Sequence, residues 1–194
     1  MNTDTQMDTH IEITLVRHGE AEHNKIGINP LPMDYALTET GKWEAQRVAE
    51  SLSEREYDIV FVSRLSRTKA TLAPYLAVHP ELKVFEDELL SERNMGELVG
   101  TPREMIVYKT EADMEEAVRW KPKSGESIMD VFKRAEKFMK KLRCEYTGKH
   151  VLVCGHQSFL RALEILITGR PLHNYYSDKL ARLKNAEIRH FTLN

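Results

Sequence analysis

Apolar residues Ile11, Ile13 and Leu15 alternate with Glu12 and Thr14, and Val16 extends the run, as in a strand entering a core. The strand stops at Gly19, leaving Arg17 and His18 at its carboxyl end. A loop over 24–37 follows, punctuated by Gly27, Pro30 and Pro32. Thr38 is placed to cap a helix over 38–54, with Glu39 in its first turn and Ala45, Val48, Ala49 and Leu52 at helical spacing. The continuous apolar run at 58–63 predicts a buried parallel strand. A helix over about 66–78 ends near Pro80, and a weaker strand follows at 83–87. Residues 88–124 are the least regular, with a helix expected from Pro102 toward Trp120. Ser127 to Asp130 is a capping pattern for a helix to about 145, with Val131, Ala135, Phe138, Met139 and Leu142 on its core face. A buried strand at 150–155, a helix at 157–168 and an alternating edge strand at 186–193 complete the chain. Strands alternating with helices predict an α/β fold: a three-layer α/β/α sandwich around a mostly parallel central sheet.

The 194 residues lack an internal repeat, a low-complexity segment or a linker, which predicts one domain over 11–194 behind a flexible tail at 1–10. At 41% hydrophobic and 30% charged, the composition is that of a globular chain rather than a disordered one. A net charge of −2 gives no global attraction to nucleic acid or anionic membrane, so an anion site must come from local placement of Arg and His. There is no run of 18 apolar residues and no hydrophobic leader in 1–10. The two cysteines make no disulfide framework, Cys154 reads as a small buried apolar residue, and a cytoplasmic location is expected.

Candidate chemistry collects at strand ends. His18 follows the first strand, Arg64 and Arg67 follow the second, and His156 follows the strand VLVCG. Parallel strands would bring these tips to one crevice. An arginine fork suits a phosphate bidentately, and an imidazole can serve as a covalent nucleophile. Singly, such residues are more often a solvated edge or a structural histidine. Together they point to an anion held for attack.

The string RHGE at 17–20 with Asn24 resembles the signature of the histidine phosphatase superfamily, the phosphoglycerate-mutase-like enzymes. VSRLSRTKAT at 62–71 resembles its second motif, with Arg64 standing where proline is usual. VLVCGHQSFLRAL at 151–163 resembles the Gly-His motif, and LLSERNMGELVG at 89–100 the acidic segment. Ala21, where Ser or Thr is common, and His23, where an aromatic is common, depart from the pattern. The resemblance implies a metal-independent, histidine acid-type phosphatase working through a phosphohistidine at His18. It assigns Arg17, Arg67 and Asn24 to the phosphate, with backbone N–H groups at Gln157 and Ser158, and places His156 opposite His18. It makes Glu92 the proton donor and Arg64 and Arg93 possible substrate contacts. A small phosphorylated metabolite is the expected partner, with no nucleic acid, no membrane and no cofactor; nothing specifies an oligomeric state.

Rival readings are a phosphoglycerate mutase and a fructose-bisphosphatase-like sugar phosphatase. Gly155 follows Glu92 by 63 positions, a short separation that favours a compact phosphatase over a mutase with longer insertions. A metal-dependent hydrolase using His18, His23 and His156 lacks the His spacing of common helical zinc sites. An inert phospho-ligand binder would bind esters without turnover.

Overall fold

The computed structural model describes residues 10–30, 34–103, 114–177 and 182–193. Five strands form one sheet: β1 (Ile11–Arg17), β2 (Ile59–Val62), β3 (Lys83–Glu86), β4 (His150–Gly155) and β5 (Ile188–Leu193), in the order β3-β2-β4-β1-β5. The first four pair in parallel, and β5 closes the far edge antiparallel to β1. The expected mostly parallel sheet and final edge strand are therefore present, and the structure shows that edge strand to run antiparallel.

Alternation along the strands divides the core into two layers. Ile13, Leu15, Phe61 and Val153 pack against Phe138, Leu142, Phe159 and Leu163, from α5 (Ile128–Glu145) and α6 (Gln157–Thr168). Val16, Val60, Val62 and Leu152 pack on the other face against Val48, Leu52, Leu72 and Tyr75, from α2 (Glu39–Leu52) and α3 (Ser66–Ala77). Both helix starts read from the sequence carry their caps: Thr38 accepts from the Gly41 N–H at 3.0 Å, and Ser127 with Asp130 forms a capping box. All five predicted core residues of α5 are buried.

Thr14, polar in the alternation, is fully buried. Its hydroxyl lies 2.9 Å from both His150 Nε2 and His190 Nδ1, and those bonds satisfy it. The loop expected at 24–37 instead opens with a helical turn, α1 (Glu22–Lys25), because the Asn24 carboxamide oxygen accepts from the Ala21 N–H at 3.0 Å. Of the helix expected from Pro102 toward Trp120, residues 104–113 lie outside the described residues; Pro102 itself forms a β-bridge with Ile28, and α4 (Met114–Arg119) is the helix that the described part shows. The tail at 1–9 also lies outside them. Both cysteines are free, Cys154 buried and Cys144 exposed. Among the described residues no helix is long and apolar enough to cross a membrane.

Candidate active site

The tips of β1, β2 and β4 meet at one end of the sheet. The His18 N–H donates to the Gly155 carbonyl at 3.1 Å, and the Ser63 N–H donates to the Cys154 carbonyl at 3.2 Å. The sheet register thus sets His18, Ser63 and His156 side by side. The rings of His18 and His156 are 5.2 Å apart between centroids, and both residues are buried. His18 Nδ1 donates to the Gly19 carbonyl at 2.7 Å, which leaves Nε2 as the nitrogen with a free lone pair. The loop carrying these groups is pinned to the helices beneath it. The Gly19 N–H donates to the Thr71 hydroxyl at 2.9 Å, and that hydroxyl donates to the Arg67 carbonyl at 2.7 Å. Gly41, at the start of α2, lies so near that an added Cβ would sit 2.0 Å from the Glu20 oxygen. Only glycine fits there.

Arg67, on α3, has no solvent exposure, and none of its three guanidinium nitrogens has a hydrogen-bond partner. Arg17 donates from Nη1 to the Leu183 carbonyl at 2.7 Å, while its buried Nε has no partner. Asn24 presents a third unsatisfied donor. Its Oδ1 accepts from Ala21 and from Asn185 Nδ2 at 3.4 Å, which leaves the buried Nδ2 without a partner. Buried donors in such numbers call for an anion.

The histidines respond to the same surroundings. Burial, then the positive charges of Arg67 and Arg17, hold the pKa of His18 well below its ordinary value. Burial and Arg67 do the same for His156. His23, 5.8 Å from His18 between ring centroids, is pushed down to about 3 by burial and by Arg67, Arg103 and Arg17. A cation among these rings would face two arginines, so the three-histidine metal reading loses its electrostatic basis. The neutral rings also have a consequence for stability. Above pH 6.5 they are neutral in both folded and unfolded chains. Below it only the unfolded chain takes up protons, at about 1.4 kcal/mol per pH unit for each histidine. Phosphate-free protein should therefore melt at a clearly lower temperature at pH 5 than at pH 7, and His23→Phe should make that drop shallower. An equal melting temperature at the two pH values would contradict this electrostatic picture.

A cavity of about 280 Å³ opens from His18, lined among others by Arg17, Asn24, Glu92, Arg93, Arg103 and Gln157. Glu92 reaches it from the irregular segment after β3. Its Oε1 accepts the N–H of Arg93 at 2.8 Å and that of Ser158 at 3.1 Å. One of the helix-start amides expected to serve an anion is thus committed to Glu92. The Gln157 side chain is buried in the cavity wall with neither amide atom partnered. Arg134, on α5, braces the acidic segment by donating to the Ser91 carbonyl at 3.0 Å and bidentately to Glu126 at 2.9 and 3.0 Å.

The two arginines offered as substrate contacts part company. Arg93 lines the cavity, but its guanidinium donates to the carbonyls of Glu126 (2.8 Å) and Trp120 (3.3 Å) and lies over the Trp120 ring. Arg64 is exposed in a 3.2 Å ion pair with Glu88, outside the cavity that holds His18. Its position one residue after Ser63 points it off the strand end toward solvent.

The comparisons with known proteins agree with this geometry. A profile of the histidine phosphatase superfamily (branch 1) matches residues 13–194. The chain belongs to that superfamily. Phosphoserine phosphatase 1 of Hydrogenobacter thermophilus is 29% identical over 171 residues, covering 86% of this chain and 81% of the relative. A phosphoglycerate mutase of Schizosaccharomyces pombe is 34% identical over 167 residues, covering 81% and 79%. Among solved structures, a mycobacterial glucosyl-3-phosphoglycerate phosphatase shares the fold with a TM-score of 0.79 at 23% identity, covering 92% of this chain and 90% of that one. In this chain the sheet is the frame on which the four motif segments are hung. His18, Arg17, Arg67, His156, Asn24, Glu92 and Gln157, all singled out from the sequence, come together at one end of it. Asn185, Thr71 and Arg134 were not singled out. Each acts through a backbone group or another side chain, and no spacing pattern announces such a role.

Proposed function

We propose that the chain hydrolyses small phosphomonoesters through a phosphohistidine on Nε2 of His18. The observation that carries this reading is Arg67: a guanidinium with no solvent exposure and no partner, beside two neutral imidazoles. A phosphoryl group is the ligand that satisfies such a cradle. The Nε2 lone pair of His18 attacks phosphorus as the ester P–O bond breaks, and Glu92 gives its proton to the leaving alkoxide. The carboxylate so formed takes a proton from water, whose oxygen attacks phospho-His18 and releases inorganic phosphate. Arg17, Arg67, His156 and the Asn24 amide donate to the oxygens on which charge builds up. The bonds from Arg93 and Ser158 both end on Oε1 of Glu92, which makes Oε2 the oxygen for proton exchange. A cavity of about 280 Å³ suits a small metabolite. A mutase is the second reading, favoured by the 34% identical relative; there the phosphoryl group would return to a bound phosphoglycerate instead of water.

Hydrolysis of an aryl phosphate in EDTA tests this reading, with undiminished turnover expected. Loss of activity to the chelator would overturn it. Glu92→Gln sharpens the assignment of the acid. An alkyl phosphate, with its poor leaving group, should lose roughly 100-fold or more in kcat, and an aryl phosphate much less. Equal losses on both would remove Glu92 from the role of proton donor.

A further inference from the structure

The usefulness of the His156 imidazole as a donor depends on where a single proton sits. Held neutral by burial and by Arg67, the ring carries one N–H, on Nδ1 or on Nε2. Nε2 lies 2.9 Å from the Ser63 hydroxyl oxygen, and both residues are fully buried. Nδ1 is buried with no hydrogen-bond partner. The serine oxygen already accepts, at 3.5 Å, the N–H of Leu65. Its one hydrogen is satisfied by donation to Nε2, and that placement puts the ring proton on Nδ1. The reverse placement would leave Nδ1 with a lone pair in the electropositive site and repel a phosphoryl oxygen.

We propose that Ser63 is a positioning residue that locks His156 in its Nδ1–H tautomer, so that the neutral ring donates to the phosphoryl oxygen during transfer. The sheet makes this possible. Ser63 follows β2 and His156 follows β4, and the N–H of Ser63 donates to the carbonyl of Cys154, two residues before His156. The hydroxyl therefore meets the ring through the strand register itself. The inference rests on the phosphohistidine reading for its consequence, but the tautomer can be observed without turnover.

The test combines nitrogen NMR of the histidine rings with kinetics. In wild type, the His156 Nδ1 signal should be of the protonated, pyrrole type and the Nε2 signal of the bare, pyridine type. Ser63→Ala should erase that preference, lower kcat about 10- to 100-fold and leave KM nearly unchanged. In a His156→Ala background the same substitution should cost nothing further. A pyrrole-type Nε2 in wild type would overturn the proposal, whatever the variants do. So would a Ser63→Ala loss as large in the His156→Ala background as in wild type. Failure of the phosphatase reading looks different: the tautomer would be intact and no turnover would be found.

Discussion

Conversion of His18 to alanine is expected to lower turnover of phosphomonoesters on the order of 10⁴-fold or more, the scale seen when a covalent nucleophile is deleted. Neither neighbouring histidine is placed to take over this role. His156 is neutral and equally buried, but its Nε2 is engaged by Ser63 and its Nδ1 is assigned to donation. His23 sits 5.8 Å from His18 between ring centroids and lacks the bond to a backbone carbonyl that orients the nucleophile. The substituted protein should still bind inorganic phosphate or vanadate, because Arg17, Arg67 and Asn24 are untouched. Retained turnover within about tenfold of wild type would move the nucleophile elsewhere.

Arg67→Met should separate activity from stability. Loss of this donor is expected to reduce kcat roughly 100- to 1,000-fold, since the proposed mechanism assigns its guanidinium to the charge that develops in the transition state. The same change should stabilise the ligand-free protein. An unpartnered guanidinium with no exposure carries a desolvation cost, and its nearest opposite charges, Glu92 and Asp34, reach it only through space. Replacing buried charge by apolar volume gains about 1–4 kcal/mol in comparable cases, and each kcal/mol raises the melting temperature of a domain this size by about 2–4 °C. Phosphate is expected to raise the melting temperature of wild type by binding the folded state, and should lose most of that effect in the variant. A variant that melts lower yet keeps its full response to phosphate would show that Arg67 is structural.

The sheet and its chemistry were legible for a common reason. Continuous apolar runs such as 150–155 mark buried parallel strands, and the polar residue that ends each run falls at the sheet's carboxyl edge, where parallel pairing gathers ligand groups. The sequence alone places His18 and His156 together because two strand ends suffice to do it. Glu92 depended on the motif alone, since its segment has no periodic pattern. Its placement comes from Arg134, Glu126 and the start of α6, contacts that span 66 positions of sequence in the case of Ser158. The helical turn at Glu22–Lys25 escaped because a side-chain cap from Asn24, not apolar spacing, forms it. Thr14 misled in the opposite direction. Its polarity suggested an exposed face, whereas two histidine rings from neighbouring strands make its burial tolerable.

The most direct measurement is a rapid alkaline quench of the wild-type protein during its first turnovers of an aryl phosphate in EDTA, followed by mapping of the phosphoryl group by peptide mass spectrometry. The phosphohistidine mechanism predicts a phosphoryl group on His18, stable in base and lost on brief exposure to acid. Turnover with no phosphoryl group on His18, or with one on another residue, would contradict it.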